Sequence, residues 1–267
     1  MPTTTLVKRD WQKDHVYLIT YPRCKAIPQF SPWSLKLETW LRIMQIPYTG
    51  ISNEFKKFSQ KGQVPFIELN GRQVADSNHI VEVLKTEFKK TIDSSDPLEK
   101  SRVAAITALL EDKLTPSLFA LRLHKKQLPY LLSDDIFGRH LGTGIKKTIT
   151  KLIMGHKFGG MAKRRCTANG TILRTVDELD ATVKESLDVL STYLGDRPFF
   201  GGSQPATVDC TVFGHIANLI YLKSDFEQYL REKRPNLVNF IERMKDSYWP
   251  DWEETCSSMD LNTHQKK

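Results

Sequence analysis

Cysteine is scarce, with four in 267 residues, at positions 24, 166, 210 and 256 and never in a Cys-x-x-Cys pair. That spacing excludes a disulfide framework and a structural zinc site, both of which need clustered thiols. No run of 18 apolar residues occurs, so no membrane-spanning helix is expected. The amino-terminal stretch to His15 carries charges where a secretion signal needs an apolar core, which points to a cytoplasmic protein. Thirteen prolines and fourteen glycines are too few for collagen-like or low-complexity material. One kind of charge is also missing locally: residues 136–176 contain no Asp or Glu, yet carry Arg139, Lys146, Lys147, Lys151, Lys157, Lys163, Arg164, Arg165 and Arg174. Those nine positive charges exceed the net +8 of the whole chain, so the remainder is close to neutral. With 40% hydrophobic residues the chain is long and apolar enough to bury a core.

What is present falls into two textures. His15–Tyr21 is β-branched and aromatic and predicts a buried strand. Ser31-Pro32 supplies an N-cap and a first-turn proline for the helix that follows. Pro47–Ser52 is a weaker strand, and Val64–Leu69 a clear one. Asn70-Gly71 signals a two-residue hairpin into a short return strand, Arg72–Ala75. Asp76-Ser77-Asn78 then caps a helix to about Phe88. The polar, proline-terminated residues 91–97 form a linker between a first domain at 1–90 and a second at 98–267. Beyond the linker the periodicity is helical throughout, over Leu98 to Lys126, Val176–Leu194, Ala206–Leu222 and Asn236–Tyr248.

Three features could carry chemistry. Ser31 lies at the amino end of a helix, where unpaired N–H groups and the dipole favour an anion. Both positions of a redox Cys-x-x-Cys are serine here, Ser31 and Ser34, so no thiolate of the protein's own is available for disulfide exchange. Val64-Pro65 opens a strand; a cis bond there would leave the valine backbone free to pair with a peptide-like ligand. Asp76 and Ser77 cap a helix with the same geometry that offers a hydroxyl and N–H groups to a carboxylate. Taken singly, each is as well explained by local structure. His79 and His215 lie in helices with no Cys or Asp at metal-ligand spacing, so no metal is expected.

Within 136–176, Ile145, Ile149, Leu152 and Ile153 recur at helical spacing among lysines. The plainer reading is a helix packed by this apolar side, ended by Gly155, Gly159 and Gly160 before Lys163-Arg164-Arg165. The alternative is a peripheral contact with an anionic membrane through Lys146, Lys147 and Lys151. Phe158 alone interleaves with the charges, which argues against nucleic acid. A wall or lid of a substrate cleft also fits the loop expected after those glycines.

Ser31–Leu41, Gly62–Leu84, Leu194–His215 and Tyr248–Glu253 together resemble the glutathione S-transferase superfamily, in its failed axon connections and metaxin branch. The resemblance implies an α/β thioredoxin-like N-terminal domain followed by an all-α glutathione S-transferase C-terminal domain, with 136–176 as a basic insertion. It implies glutathione as substrate, no metal, and conjugation to a small apolar electrophile, a detoxifying chemistry. It equally allows a non-catalytic transferase-fold adaptor, and its members are often homodimers. Ser31 would activate the thiol, Val64 and Pro65 would hold the peptide backbone, and Asp76 and Ser77 would anchor the γ-glutamyl group. Asp209 would be the buried aspartate of a helix-start motif whose usual Ser or Thr is here Ala206, with Thr207 capping one residue late. The loop 22–30 would either cover the glutathione position or add Arg23 as an anion contact.

Overall fold

The computed structural model describes residues 6–266; residues 1–5, part of the stretch read above as lacking a signal core, and Lys267 lie outside it. The first half builds a four-stranded sheet from β1 (Val16–Thr20), β2 (Tyr48–Ser52), β3 (Phe66–Leu69) and β4 (Arg72–Ala75), in the order β2-β1-β3-β4. β1 and β2 run parallel, joined by α1 (Pro32–Ile43); β3 and β4 are antiparallel additions, followed by α2 (Ser77–Phe88). The hairpin follows from its turn residues: Asn70 and Gly71 both take positive φ, at 50° and 78°, which an Asn-Gly pair adopts readily. This is the thioredoxin-like arrangement. The second half is helical: α3 (Pro97–Ala108), a π-helical turn at Leu109–Leu114, α4 (Thr115–His124), α5 (Gly144–Ala168), α6 (Val176–Leu194), α7 (Thr207–Tyr221), α8 (Glu227–Lys233), α9 (Pro235–Tyr248) and α10 (Trp252–Ser258). No described helix is long and apolar enough to cross a membrane.

The two halves meet at α1, which is sandwiched between the sheet and α7 and buried on nearly every face. Leu37, Trp40 and Leu41 pack with the sheet core, while Leu35 joins the helical core. Gly214 permits the contact: a Cβ there would lie 2.3 Å from the carbonyl oxygen of Pro32. Trp40 Nε1 donates to Thr207 Oγ1 at 3.1 Å, and Trp249 Nε1 donates to Thr39 Oγ1 at 2.9 Å.

Two expectations are corrected here. α5 runs unbroken through Gly155, Gly159 and Gly160. Each glycine costs about 1 kcal/mol against alanine in a helix, but burial of Met154, Phe158, Ala162 and Cys166 along one side offsets that cost. Gly155 and Gly159 lie against Leu132 and Leu128. The side that packs is also not the expected one, because Ile145, Ile149, Leu152 and Ile153 face solvent. The second correction concerns Thr207, which does not cap α7. Ala206 holds the N-cap position, and the Asp93 carboxylate of the linker accepts from both the N–H and the hydroxyl of Thr207, each at 2.8 Å. Asp209 is buried and accepts from the backbone N–H groups of Phe200, Gly201 and Ala206, at 2.6, 3.0 and 2.8 Å. It pins the Phe200–Ala206 turn to the helix start.

Arg23 is the third correction. It does not line the cavity at the start of α1: fully buried, it forks onto Glu38 with two 2.6 Å bonds and donates to the carbonyl of Leu261 at 2.6 Å. Glu38 also accepts from Gln29 Nε2 at 2.6 Å and from the Tyr48 hydroxyl at 2.9 Å. Arg42, 3.8 Å from Glu38, binds Asp251 at 2.5 Å and stacks 3.7 Å from the Trp249 ring centroid. The chain's last residues return over the open edge of β2, where Asn262 exchanges two bonds with the backbone of Gly50. Covering that edge removes a pairing surface.

Burial alone would raise the Glu38 carboxyl, but Arg23 outweighs it and holds the pKa at about 2, below the ordinary 4.5. A depressed carboxylate stabilises the fold above its unfolded pKa and loses that contribution as pH falls through the folded one. Urea unfolding of the wild type should therefore show stability declining from about pH 4.5 towards pH 2. Glu38→Gln strands a buried guanidinium and should cost about 3–5 kcal/mol at neutral pH; a loss under about 1 kcal/mol, the usual ceiling for an exposed pair, would contradict this reading of the network.

Candidate functional site

A cavity of roughly 400 Å³ opens where the carboxyl end of β1 and the start of α1 face the π-helical turn, α4, α5 and α7. Such a crevice at strand carboxyl ends is a common ligand position in α/β folds. The structure brings Ser31, Val64, Pro65, Asp76 and Ser77 to its wall. It does not bring Arg23, Thr207 or Asp209 there, since all three are engaged in the contacts already described.

Ser31 is the N-cap of α1, its Oγ accepting weakly from the Ser34 N–H at 3.4 Å. Its hydroxyl proton is donated to no group among the described residues, so it remains available to the cavity. Pro32 at the first helical position needs no N–H partner there. The Val64-Pro65 bond is cis. Neither the N–H nor the C=O of Val64 is hydrogen-bonded among the described residues, leaving a strand-like edge open to the cavity. Asp76 caps α2, accepting from Asn78 N–H at 3.1 Å and His79 N–H at 3.3 Å. It does so at φ +86°, a region side-chain-bearing residues rarely adopt. Ser77, directly after it, has neither its N–H nor its hydroxyl bonded among the described residues. A helix start with a free N–H and a free hydroxyl is a carboxylate-binding geometry.

The helical half supplies further residues to the site. Glu111, in the π-helical turn, accepts from Lys36 Nζ at 3.1 Å and from Asn78 Nδ2 at 3.0 Å. Lys36 also donates to Asn78 Oδ1, so α1, the start of α2 and the helical half share one polar knot beside the cavity. Arg165 of α5 lies 4.2 Å from the Trp33 ring centroid, and burial lowers its pKa below the usual arginine value. Trp33 in turn meets His215 edge-on at 5.6 Å. His215 Nδ1 donates to the Thr211 carbonyl at 2.8 Å, while its buried Nε2 has no partner. Tyr21 directly follows β1, with its hydroxyl unpaired among the described residues and its ring packed edge-on to Phe30 and Phe158. Its place at the close of the expected strand His15–Tyr21 is the one signal by which it could have been found. Phe119, Leu128 and Met161 complete an apolar far wall. The α5 residues Phe158, Met161 and Arg165 make this part of the basic segment a cleft wall, formed by a helix where a loop was expected.

Burial lowers the His215 pKa to about 4, against an ordinary 6.5. The imidazole is thus neutral at pH 7, with a bare Nε2 acceptor in the wall. Between pH 6.5 and about 4 the unfolded chain takes up a proton that the folded chain refuses, so stability falls as pH falls through that window. Nuclear magnetic resonance should show the His215 ring titrating near pH 4; a midpoint at or above 6.5 would mean that the ring is solvated.

Comparison with known proteins follows the same division. The model described as the glutathione S-transferase N-terminal domain matches residues 32–134, and that of the glutathione S-transferase C-terminal domain matches 183–244. All of α5, and the whole acid-free stretch 136–176 that contains it, fall between the two matches. Failed axon connections of Drosophila melanogaster is 36% identical over 97% of this chain; the alignment spans 64% of that longer protein. Metaxin-2 of Mus musculus is 24% identical, with 82% of each chain covered. Among solved structures, a glutathione S-transferase of Ceriporiopsis subvermispora in complex with glutathione superposes with TM-score 0.59 at 13% identity, covering 86% of this chain and 96% of its own.

Proposed function

The chain belongs to the failed axon connections and metaxin branch of the glutathione S-transferase superfamily, and on that premise we propose that its cavity binds glutathione. Ser77, with its free N–H and hydroxyl beside the strained Asp76 cap, is the observation that carries this reading. The γ-glutamyl carboxylate takes those two donors, and the Asp76 carboxylate faces the ammonium group. The cysteinyl backbone pairs with Val64 beside Pro65, as a strand added to an open edge. That placement directs the sulfur to the start of α1, where the Ser31 hydroxyl and the helix dipole favour thiolate over thiol. An apolar electrophile seats against Phe119, Leu128 and Met161. The thiolate's electron pair then forms the carbon–sulfur bond while the electrophile's leaving group departs, or its strained ring opens, with the displaced pair.

A second reading is a non-catalytic transferase-fold adaptor, meeting an anionic membrane surface or a protein partner through Lys146, Lys147 and Lys151. The acid-free α5 favours it. Both readings are compatible with a cytoplasmic protein.

Isothermal titration with glutathione separates them. The first reading expects saturable binding at millimolar ligand or below, and loss of binding in Ser77→Ala combined with Asp76→Asn. Ser31→Ala should retain glutathione but lower conjugation of a model electrophile on the order of 10²-fold, as for loss of one transition-state donor. The lost N-cap should cost about 1 kcal/mol of stability. No heat at millimolar glutathione removes the conjugating function and leaves the adaptor.

A further inference from the structure

α5 has two apolar sides, and the fold uses only one. Met154, Phe158, Ala162 and Cys166 are buried against α4 and the segments before α5. On the other side Ile145, Ile149, Leu152 and Ile153 are 80%, 51%, 70% and 51% exposed. The helical period of 3.6 residues gathers these four into one stripe. It also sets Lys146, Lys157 and Arg164 in a column along one edge, with Lys163 continuing the stripe beyond them. Lys146, Lys163 and Arg164 are exposed and form no ion pair among the described residues. Lys157 Nζ rests 4.8 Å from the Phe58 ring centroid. Lys147 lies on the opposite side, paired with Asp134. No acid occurs anywhere from 136 to 176 to offset the column.

We propose that this face of α5 lies in the plane of an anionic lipid surface, its four aliphatic side chains in the headgroup boundary and its basic column against lipid phosphates and carboxylates. The proposal rests on the membrane-associating reading given above and changes the residues responsible: the stripe with Lys146, Lys163 and Arg164 replaces the trio that included Lys147. Three properties favour lipid over a protein partner. The exposed groups are all aliphatic, whereas the centres of protein interfaces favour Trp, Tyr and Arg. The flanking charge has one sign only, complementary to an anionic leaflet. The helix is too charged to insert across a bilayer yet has the stripe-and-edge form of interfacial helices. The same helix presents Phe158, Met161 and Arg165 to the cavity, so a docked α5 sets the cleft beside the lipid, where apolar electrophiles partition.

The test is cosedimentation of the full chain with vesicles of phosphatidylcholine alone or mixed with phosphatidylserine, with glutathione calorimetry and circular dichroism as folding controls. The wild type should pellet with the anionic vesicles only, and less so as salt rises. Ile149→Asn with Leu152→Asn, and separately Lys146→Gln with Arg164→Gln, should each lower partition about tenfold, the loss expected when roughly 1.4 kcal/mol is removed. Lys147→Gln should leave it within about twofold, since that ammonium is already paired. Failure of the wild type to pellet overturns both the proposal and the membrane reading. Unchanged partition in Ile149→Asn/Leu152→Asn overturns this face while membrane association stands. A dimer in chromatography that the same variant dissolves, with partition unchanged, assigns the stripe to a second copy and overturns the proposal.

Discussion

The buried bond between Arg23 and Glu38 is the constraint from which the rest of the arrangement follows. Two charges taken out of water are tolerated only if nearly every lone pair and N–H is matched. Matching Glu38 recruits Gln29 from the loop before α1 and Tyr48 from β2, while matching Arg23 recruits backbone carbonyls of Pro28, Asp260 and Leu261. Arg42 extends the network to Asp251, whose carboxylate burial would raise; Arg42 and the Thr263 hydroxyl hold it well below the ordinary value instead. One pair therefore ties together a loop, the central helix, an edge strand and the far end of the chain. The positions tied span more than 230 residues of sequence.

That tie is what places the cavity. With its guanidinium held on Glu38, Arg23 fixes the loop 22–30 that joins β1 to α1, and Phe30 at the loop's end becomes cavity wall rather than plug. α1 is fixed from the other side by Gly214, which lets α7 approach the Pro32 carbonyl. Ser31 is thus positioned by two close contacts, neither of which it makes itself. Lys36, one turn beyond, reaches through Asn78 and Glu111 to hold the start of α2, and with it Ser77, at a set distance across the cavity. The site is assembled by charges and close packing beneath it, and among the described residues the Ser31 and Ser77 hydroxyls and the Val64 backbone donate to no protein group.

The strands, the Asn70-Gly71 turn and the caps at Ser31 and Asp76 were legible because each depends on residues adjacent in sequence. Arg23 was not legible as a core residue. Its partner lies fifteen positions away on a helix whose charges look solvent-facing, and the groups that close around both come from the 22–30 loop, Tyr48, Trp249 and the distant Asp260 and Leu261. Thr207 misled for a similar reason: the carboxylate that satisfies its N–H comes from Asp93, 114 residues earlier. α5 shows a third kind of limit. Two apolar columns run along it, one of isoleucines and leucine, one of Met154, Phe158, Ala162 and Cys166. The more hydrophobic column is the exposed one, because shape decides which side fits against Leu128 and Leu132, and the slimmer side with Gly155 and Gly159 does.

The two halves treat charge in opposite ways. In the first, Arg23, Glu38 and Lys36 are buried, Arg42 is partly so, and all four are ion-paired. In α5, charge of one sign is left at the surface beside exposed aliphatic side chains, and neither is satisfied by the rest of the fold. Mutual repulsion along such a helix is a cost that folding alone does nothing to recover. Nor does burial compensate it, because the isoleucines that would contribute remain in water. Both costs fall together when a single surface, apolar in its interior and negative at its boundary, is placed against that face. The feature of α5 that is least explicable as folding is therefore the one most explicable as contact with something outside the chain.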